Sequence, residues 1–219
     1  MAETQHSTLR QQYSATTKAR ILKAANTVFA ERGFHRATTK AIAEAAGTSE
    51  GTIYRYFDSK RDLLIAVLDS MIGGTEEGKE VVQAAIGDFR ATYTTMVKER
   101  IKRLKPQSST FFALMSHILT DRDLSKQMYK KMFLPALKLA EVLLQASINS
   151  GNIRPIDVPL TARLVYSLAF GVDLLYMMGD TVIRSGLENT DKLAEVIVTV
   201  ILDGISTGNS QDRKDEKIS

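Results

Sequence analysis

The chain has 219 residues, 44% of them hydrophobic, and its net charge of +4 is uneven: residues 1–61 hold 10 Lys and Arg against 5 Asp and Glu (net +5), and the remainder, with 19 against 20, is net −1. A basic N-terminal quarter suits a polyanionic partner, whereas the lack of cysteine and the scatter of His6, His35 and His117 exclude disulfides and thiolate zinc sites, so no metal or cofactor is expected. No apolar run approaches the ~18 residues of a membrane span and no charged-then-apolar leader opens the chain, which sets the expectation of a soluble, cytoplasmic protein.

Residues 1–15 are polar and without apolar period, and are expected to form a flexible arm. From Thr16 the pattern changes. Ile21, Leu22, Ala25, Val28 and Phe29 form the stripe of an amphipathic helix, with Thr16 or Thr17 as its cap and Gly33 as its stop. A second helix is predicted from Thr38 or Thr39, burying Ile42, Ala43 and Ala46. A third starts near Ser49 and buries Ile53 and Phe57, and Asp58-Ser59 caps a fourth carrying Leu63, Leu64, Val67, Leu68 and Met71, ended by Gly73-Gly74.

The stretch from Ala41 to Phe57 breaks a helix and restarts it within about three residues. Gly47 supplies the left-handed conformation that ends one helix, and Ser49 caps the next in a turn too short to keep the two collinear. Two such helices packed on a third make a helix-turn-helix, whose second helix enters the DNA major groove. Gly51 allows close approach to a phosphate backbone. Thr52, Tyr54, Arg55 and Tyr56 then face outward: phenols and lysines position a protein on phosphates, and arginine reads guanine. Thr38 and Ser49 also serve as plain helix caps, Tyr54 and Tyr56 as packing aromatics, Arg55 as a solvated charge and His35 as a surface residue in the duller alternative.

Thr38, Ile42-Ala43, Ala46-Gly47, Ser49, Gly51-Thr52-Ile53-Tyr54, Tyr56-Phe57, Ser59-Lys60 and Leu63-Leu64 together resemble the DNA-binding domain of the TetR family of transcriptional regulators. The resemblance covers roughly residues 16–72 and joins many fixed spacings. It implies an all-α protein with an N-terminal three-helix DNA-binding domain (16–72) and a larger helical ligand-binding and dimerisation domain (75–209). It also implies that Thr38, Thr39, Tyr54, Tyr56 and Lys60 contact phosphates, and that Lys40, Thr48, Glu50 and Arg55 stand where bases are read. Glu50 departs from the basic or neutral residue common there; it accepts from a cytosine amino group or faces water.

Residues 75–209 read as helical throughout. Val81 to Lys105 carries Ala85, Phe89, Tyr93, Met96 and Val97 and is closed by Pro106; Phe111 to Leu119 follows, then a turn at 121–123. Leu124 to Ser150 forms a long helix kinked by Pro135 and ended at 149–152. Residues 160–180 and 191–205 are apolar on most of their circumference, as buried or subunit-pairing helices are. The tail at 210–219 is expected to be disordered.

In family terms those last helices pair with their twins in a homodimer, through Leu168, Leu174, Val196, Val200 and Ile201. The candidates for a small-molecule effector site are Tyr93, Met96, Met115, His117, Met132, Tyr166, Phe170, Asp173, Tyr176 and Met177, because methionines adapt to apolar ligands while phenols, His117 and Asp173 orient them; core filling is the alternative for each. The basic run 98–105 either grips a phosphorylated ligand or is a solvated helix end. No phosphate loop, nucleophile elbow or metal-binding histidine pair is present in the sequence, so no enzyme is expected. The expectation is a dimeric repressor that binds palindromic operator DNA and is released by a largely apolar effector. The alternatives are a ligand-independent DNA-binding regulator and a motif-free helical enzyme.

Overall fold

A computed structural model of the chain describes residues 2–72 and 88–205, with side chains over 12–72 and 88–203. Those residues form eleven α-helices and no strand, the all-α architecture expected: α1 Ala2–Arg36, α2 Thr39–Ala45, α3 Glu50–Tyr56, α4 Lys60–Ile72, α5 Phe89–Leu104, α6 Ser108–Thr120, α7 Arg122–Met128, α8 Leu134–Asn149, α9 Val158–Met178, α10 Thr181–Glu188 and α11 Thr190–Ile205. The Gly73-Gly74 stop, the first turns of the helix drawn from Val81, Ala85 among them, and the tail at 210–219 lie outside the described residues. By packing, the chain divides into two compact units, 1–72 with 109–132, and 73–108 with 133–219. The segment 109–132 thus packs with the N-terminal helices, although it was expected in the larger domain.

In the first unit, Ile21, Ala25, Val28 and Phe29 of α1 are buried, as are Ile42 and Ala43 of α2, Ile53 of α3 and Leu63, Leu64, Val67, Leu68 and Met71 of α4. The apolar spacing located that core because a helix turns every 3.6 residues, so these positions share a face. Phe111, Leu114 and Ile118 of α6 and Leu124 of α7 complete it. The expected arm at 1–15 is corrected: α1 begins at Ala2. No Gly or Pro interrupts residues 1–32. Thr16 and Thr17 do not cap, since their hydroxyls donate back to the carbonyls of Gln12 and Tyr13, each at 2.9 Å, and so accompany a continuing helix. Gly33 stops the regular helix as expected, at φ 70°.

The second unit packs two apolar clusters. One joins Phe89, Leu143, Leu144, Ala162, Val198 and Leu202; the other joins Ile101, Leu187, Leu193 and Ile197. Pro106 falls in a 3₁₀ turn, Lys105–Gln107. Before Pro135 the ladder resets through a π turn, Tyr129–Phe133, because proline has no N–H for the carbonyl four residues earlier. Against the expectation that no apolar run approaches membrane length, α9, at 21 residues, is long and apolar enough to cross a membrane by length and composition. Its two charges, Arg163 and Asp173, are ion-paired to Glu141 and Arg100 within the unit.

Candidate nucleic-acid interface

The turn between α2 and α3 is fixed by backbone chemistry. Thr38 Oγ1 accepts from the Ala41 N–H at 3.1 Å and opens α2. At its end the Thr48 N–H donates to the Ala43 carbonyl (3.0 Å) and the Gly47 N–H to that of Glu44 (3.1 Å), the paired bonds of a Schellman motif, with Gly47 at φ 60°. Two residues later Ser49 Oγ accepts from the Thr52 N–H at 3.1 Å and opens α3. Ile53 and Phe57 point into the core. That phase turns Glu50, Gly51, Tyr54 and Arg55 outward, with Thr52 and Tyr56 half-buried, while Lys40 and Ser49 stay exposed and Thr48 is half-buried.

Several side chains of this face already have protein partners. Thr39 is buried, donates to a Glu50 carboxylate oxygen, and lies 3.3 Å from the Tyr54 hydroxyl. Glu50 thus stays exposed, as the water-facing alternative expected, while accepting from Thr39 of α2, whose hydroxyl is engaged there. The Tyr56 phenol is hydrogen-bonded by Ser14, which pulls its pKa below the ordinary value. Arg55 sits with its guanidinium 5.4 Å above the Tyr56 ring. An added Cβ at Gly51 would meet nothing nearer than Ser49 Oγ at 3.9 Å, so the fold itself does not demand glycine there.

Lys60 is the clearest correction on this side. Expected on phosphate, its ammonium donates to the carbonyls of Phe34 (2.9 Å), Ala37 (3.0 Å) and His35 (3.4 Å) and lies 4.6 Å from the Phe34 ring centroid. Desolvation lowers its pKa. It closes the C-terminal end of α1, where a cation meets helix carbonyls. Ser14 and Lys60 were missed in these roles because their partners lie 42 and 26 residues away, beyond any local spacing.

The effector candidates fall into both units. Met115 and Met132 are buried in the first, and His117 stands edge-on to His35 there at 4.8 Å. Tyr93, Met96, Tyr166, Phe170, Asp173, Tyr176 and Met177 belong to the second. Burial raises the Tyr93 phenol, and burial raises Asp173 against the lowering pull of Arg100. Met177, by contrast, is exposed, since it falls on the outer arc of α9. Four of the five cations of the basic run have partners within the unit: Lys98 pairs with Asp191, Arg100 with Asp173 and Lys102 with Glu99, and Lys105 donates to the Leu187 carbonyl, while Arg103 is exposed. That pattern favours the helix-end account over a phosphate grip. Of the dimer candidates, Leu168, Leu174, Val196 and Val200 are exposed, but Ile201 packs inward against both apolar clusters. Its inward place follows from α11 burying 197, 198 and 202 on the same side.

The family model described as bacterial regulatory proteins, tetR family, matches residues 21–67. The chain is 26% identical over 198 residues to the HTH-type transcriptional repressor KstR2 of Rhodococcus jostii, across 87% of this chain and 91% of that one. SmeT, the repressor of a Stenotrophomonas maltophilia multidrug efflux pump, solved with triclosan, shares the fold at TM-score 0.62 and 20% identity, over 89% of this chain and 93% of that one. FadR of Bacillus subtilis, solved with stearoyl-CoA, does so at TM-score 0.57 and 20% identity, over 85% and 98%.

Proposed function

Because the chain belongs to the TetR family of transcriptional regulators, we propose that it acts in the cytoplasm as a dimeric repressor, binding a palindromic operator through α2 and α3 and released by a small, largely apolar effector held in the second unit. The observation that carries the DNA-binding part is the outward face of α3, where Gly51, Tyr54 and Arg55 are exposed behind a capped, glycine-closed turn. Gly51 lets a phosphate come close, Tyr54 positions the backbone, and Arg55, together with Lys40, reads base edges. The apolar exterior of α9 and α11 supports the dimer, and the ligands in the SmeT and FadR structures support an apolar molecule among the helices.

The test is an operator selection followed by Arg55→Ala and Gly51→Ala. Arg55→Ala is expected to weaken operator binding by about 1–3 kcal/mol and to relax preference at one position per half-site. Gly51→Ala is expected to lower affinity for all sequences while folding at least as well as the parent, since alanine is the better helix former by about 1 kcal/mol. A uniform loss from Arg55→Ala would remove it from base reading.

A further inference from the structure

Within the second unit, an ion pair joins α5 to α9 beside apolar side chains. The Arg100 guanidinium pairs with the Asp173 carboxylate, and the two side chains keep 22% and 10% of their surface. Asp173 is the one buried charged residue among those described. Tyr93 lies seven residues before Arg100 and Tyr166 seven before Asp173, and the Tyr93 phenol feels both Arg100 and Tyr166. Seven residues are two helical turns, about 10 Å of rise, so each phenol lies on the same face of its own helix as the charged residue that follows it. The Phe133 ring stands edge-on to Tyr166 at 6.3 Å. Each of the two helices thus carries a phenol and one member of the ion pair on a single face.

A desolvated ion pair adds little stability, and apolar replacements often hold a core as well. Its chemistry suits exchange. We propose that Arg100 anchors the acidic head of the effector, a small apolar carboxylic acid whose carboxylate displaces Asp173 and whose body lies along Tyr93 and Tyr166. This rests on the ligand-responsive function proposed above. The choice of an anion follows from which group can become neutral. Arginine keeps its proton, so losing Asp173 obliges it to take another anion. Asp173, desolvated and held ionised by Arg100, takes a proton from solvent once that partner leaves and remains as a neutral carboxylic acid. One carboxylate enters, one proton enters, and the charge of the site is unchanged. An amine bound to Asp173 would instead strand the guanidinium.

Other groups nearby do not take that proton. Tyr93 on α5 is pushed up by burial and stays protonated. Tyr166 and Tyr176 on α9 are phenols, the latter under the Arg184 guanidinium of α10, while Lys98 is held by Asp191 of α11 and Lys105 by the Leu187 carbonyl.

Calorimetric titration of the full chain with decanoate, decanol and decylamine, in buffers of different ionisation enthalpy, tests this. Decanoate is expected to bind at least about tenfold more tightly than decanol, with uptake of about one proton and affinity rising as pH falls. Asp173→Asn is expected to bind decanoate more tightly with no proton uptake. The double variant Arg100→Gln with Asp173→Asn keeps a neutral pair of similar shape, and is expected to bind decanol as the parent does and to lose the preference for decanoate. Equal affinity for decanoate and decanol, a preference for decylamine, or proton uptake that survives Asp173→Asn would overturn the proposal. Equal binding of all three probes would leave the ligand-binding function standing; binding of none would remove both.

Discussion

Lys60 shows how a cation that reads as a phosphate contact can instead hold the fold together. The Lys60 ammonium satisfies carbonyls at the end of α1, so Lys60→Met, which keeps the aliphatic stem over Phe34, is expected to lower stability by about 1–3 kcal/mol. Urea denaturation measures that loss. The salt dependence of DNA binding by the folded variant should be unchanged, because the charge is directed inward; a slope reduced by about one would return Lys60 to the phosphates. At this scale the sequence was legible wherever partners are local. Thr38 and Ser49 were expected as caps from spacing alone, and both accept an N–H three residues on. Lys60 and Arg100 were not legible in their roles, since their partners stand up to 26 and 73 residues away. The same limit hid the Thr39–Glu50 bond, which forms across the turn between two helices.

The α2–turn–α3 element owes its angle to a left-handed residue at 47. An added Cβ at Gly47 would meet nothing within 4 Å, so any loss on substitution reports backbone conformation and not a clash. Gly47→Val is expected to cost about 1–3 kcal/mol, and Gly47→Asn less, because asparagine visits the left-handed region more readily. Melting temperatures of the two variants check the order; equal stability of parent and valine variant would contradict the φ of 60°. Elements of this kind are legible because glycine, proline and capping residues punctuate them. Where punctuation is missing, the boundary is lost: α1 runs from Ala2 through two threonines that look like caps. Pro135 marked a break in the long helix, but not its form, a π turn ending two residues before it.

For the whole molecule, the informative features are the basic N-terminal quarter and the apolar outer side of the second unit. The first was visible in composition, whereas the grouping of 109–132 with the N-terminal helices depends on packing that no local pattern encodes. On α9 and α11, Leu164, Leu168, Leu175, Val196 and Val200 are exposed, Val200 at 65%. Burying such a side chain fully is worth about 1.5–3 kcal/mol, so a second copy covering the patch would be held by several of them together. Two heads on one dimer must then meet major grooves about 34–36 Å apart, which ties operator affinity to the interface. Val200→Glu places a charge in that interface with no partner. Sedimentation is expected to show a dimer for the parent and a monomer for this variant, with affinity for a full operator falling and that for a single half-site retained. Val142→Glu, on another exposed valine, in α8, is the control and is expected to change neither. A parent that sediments as a monomer at micromolar concentration while binding the full operator tightly would overturn the two-headed reading of this regulator.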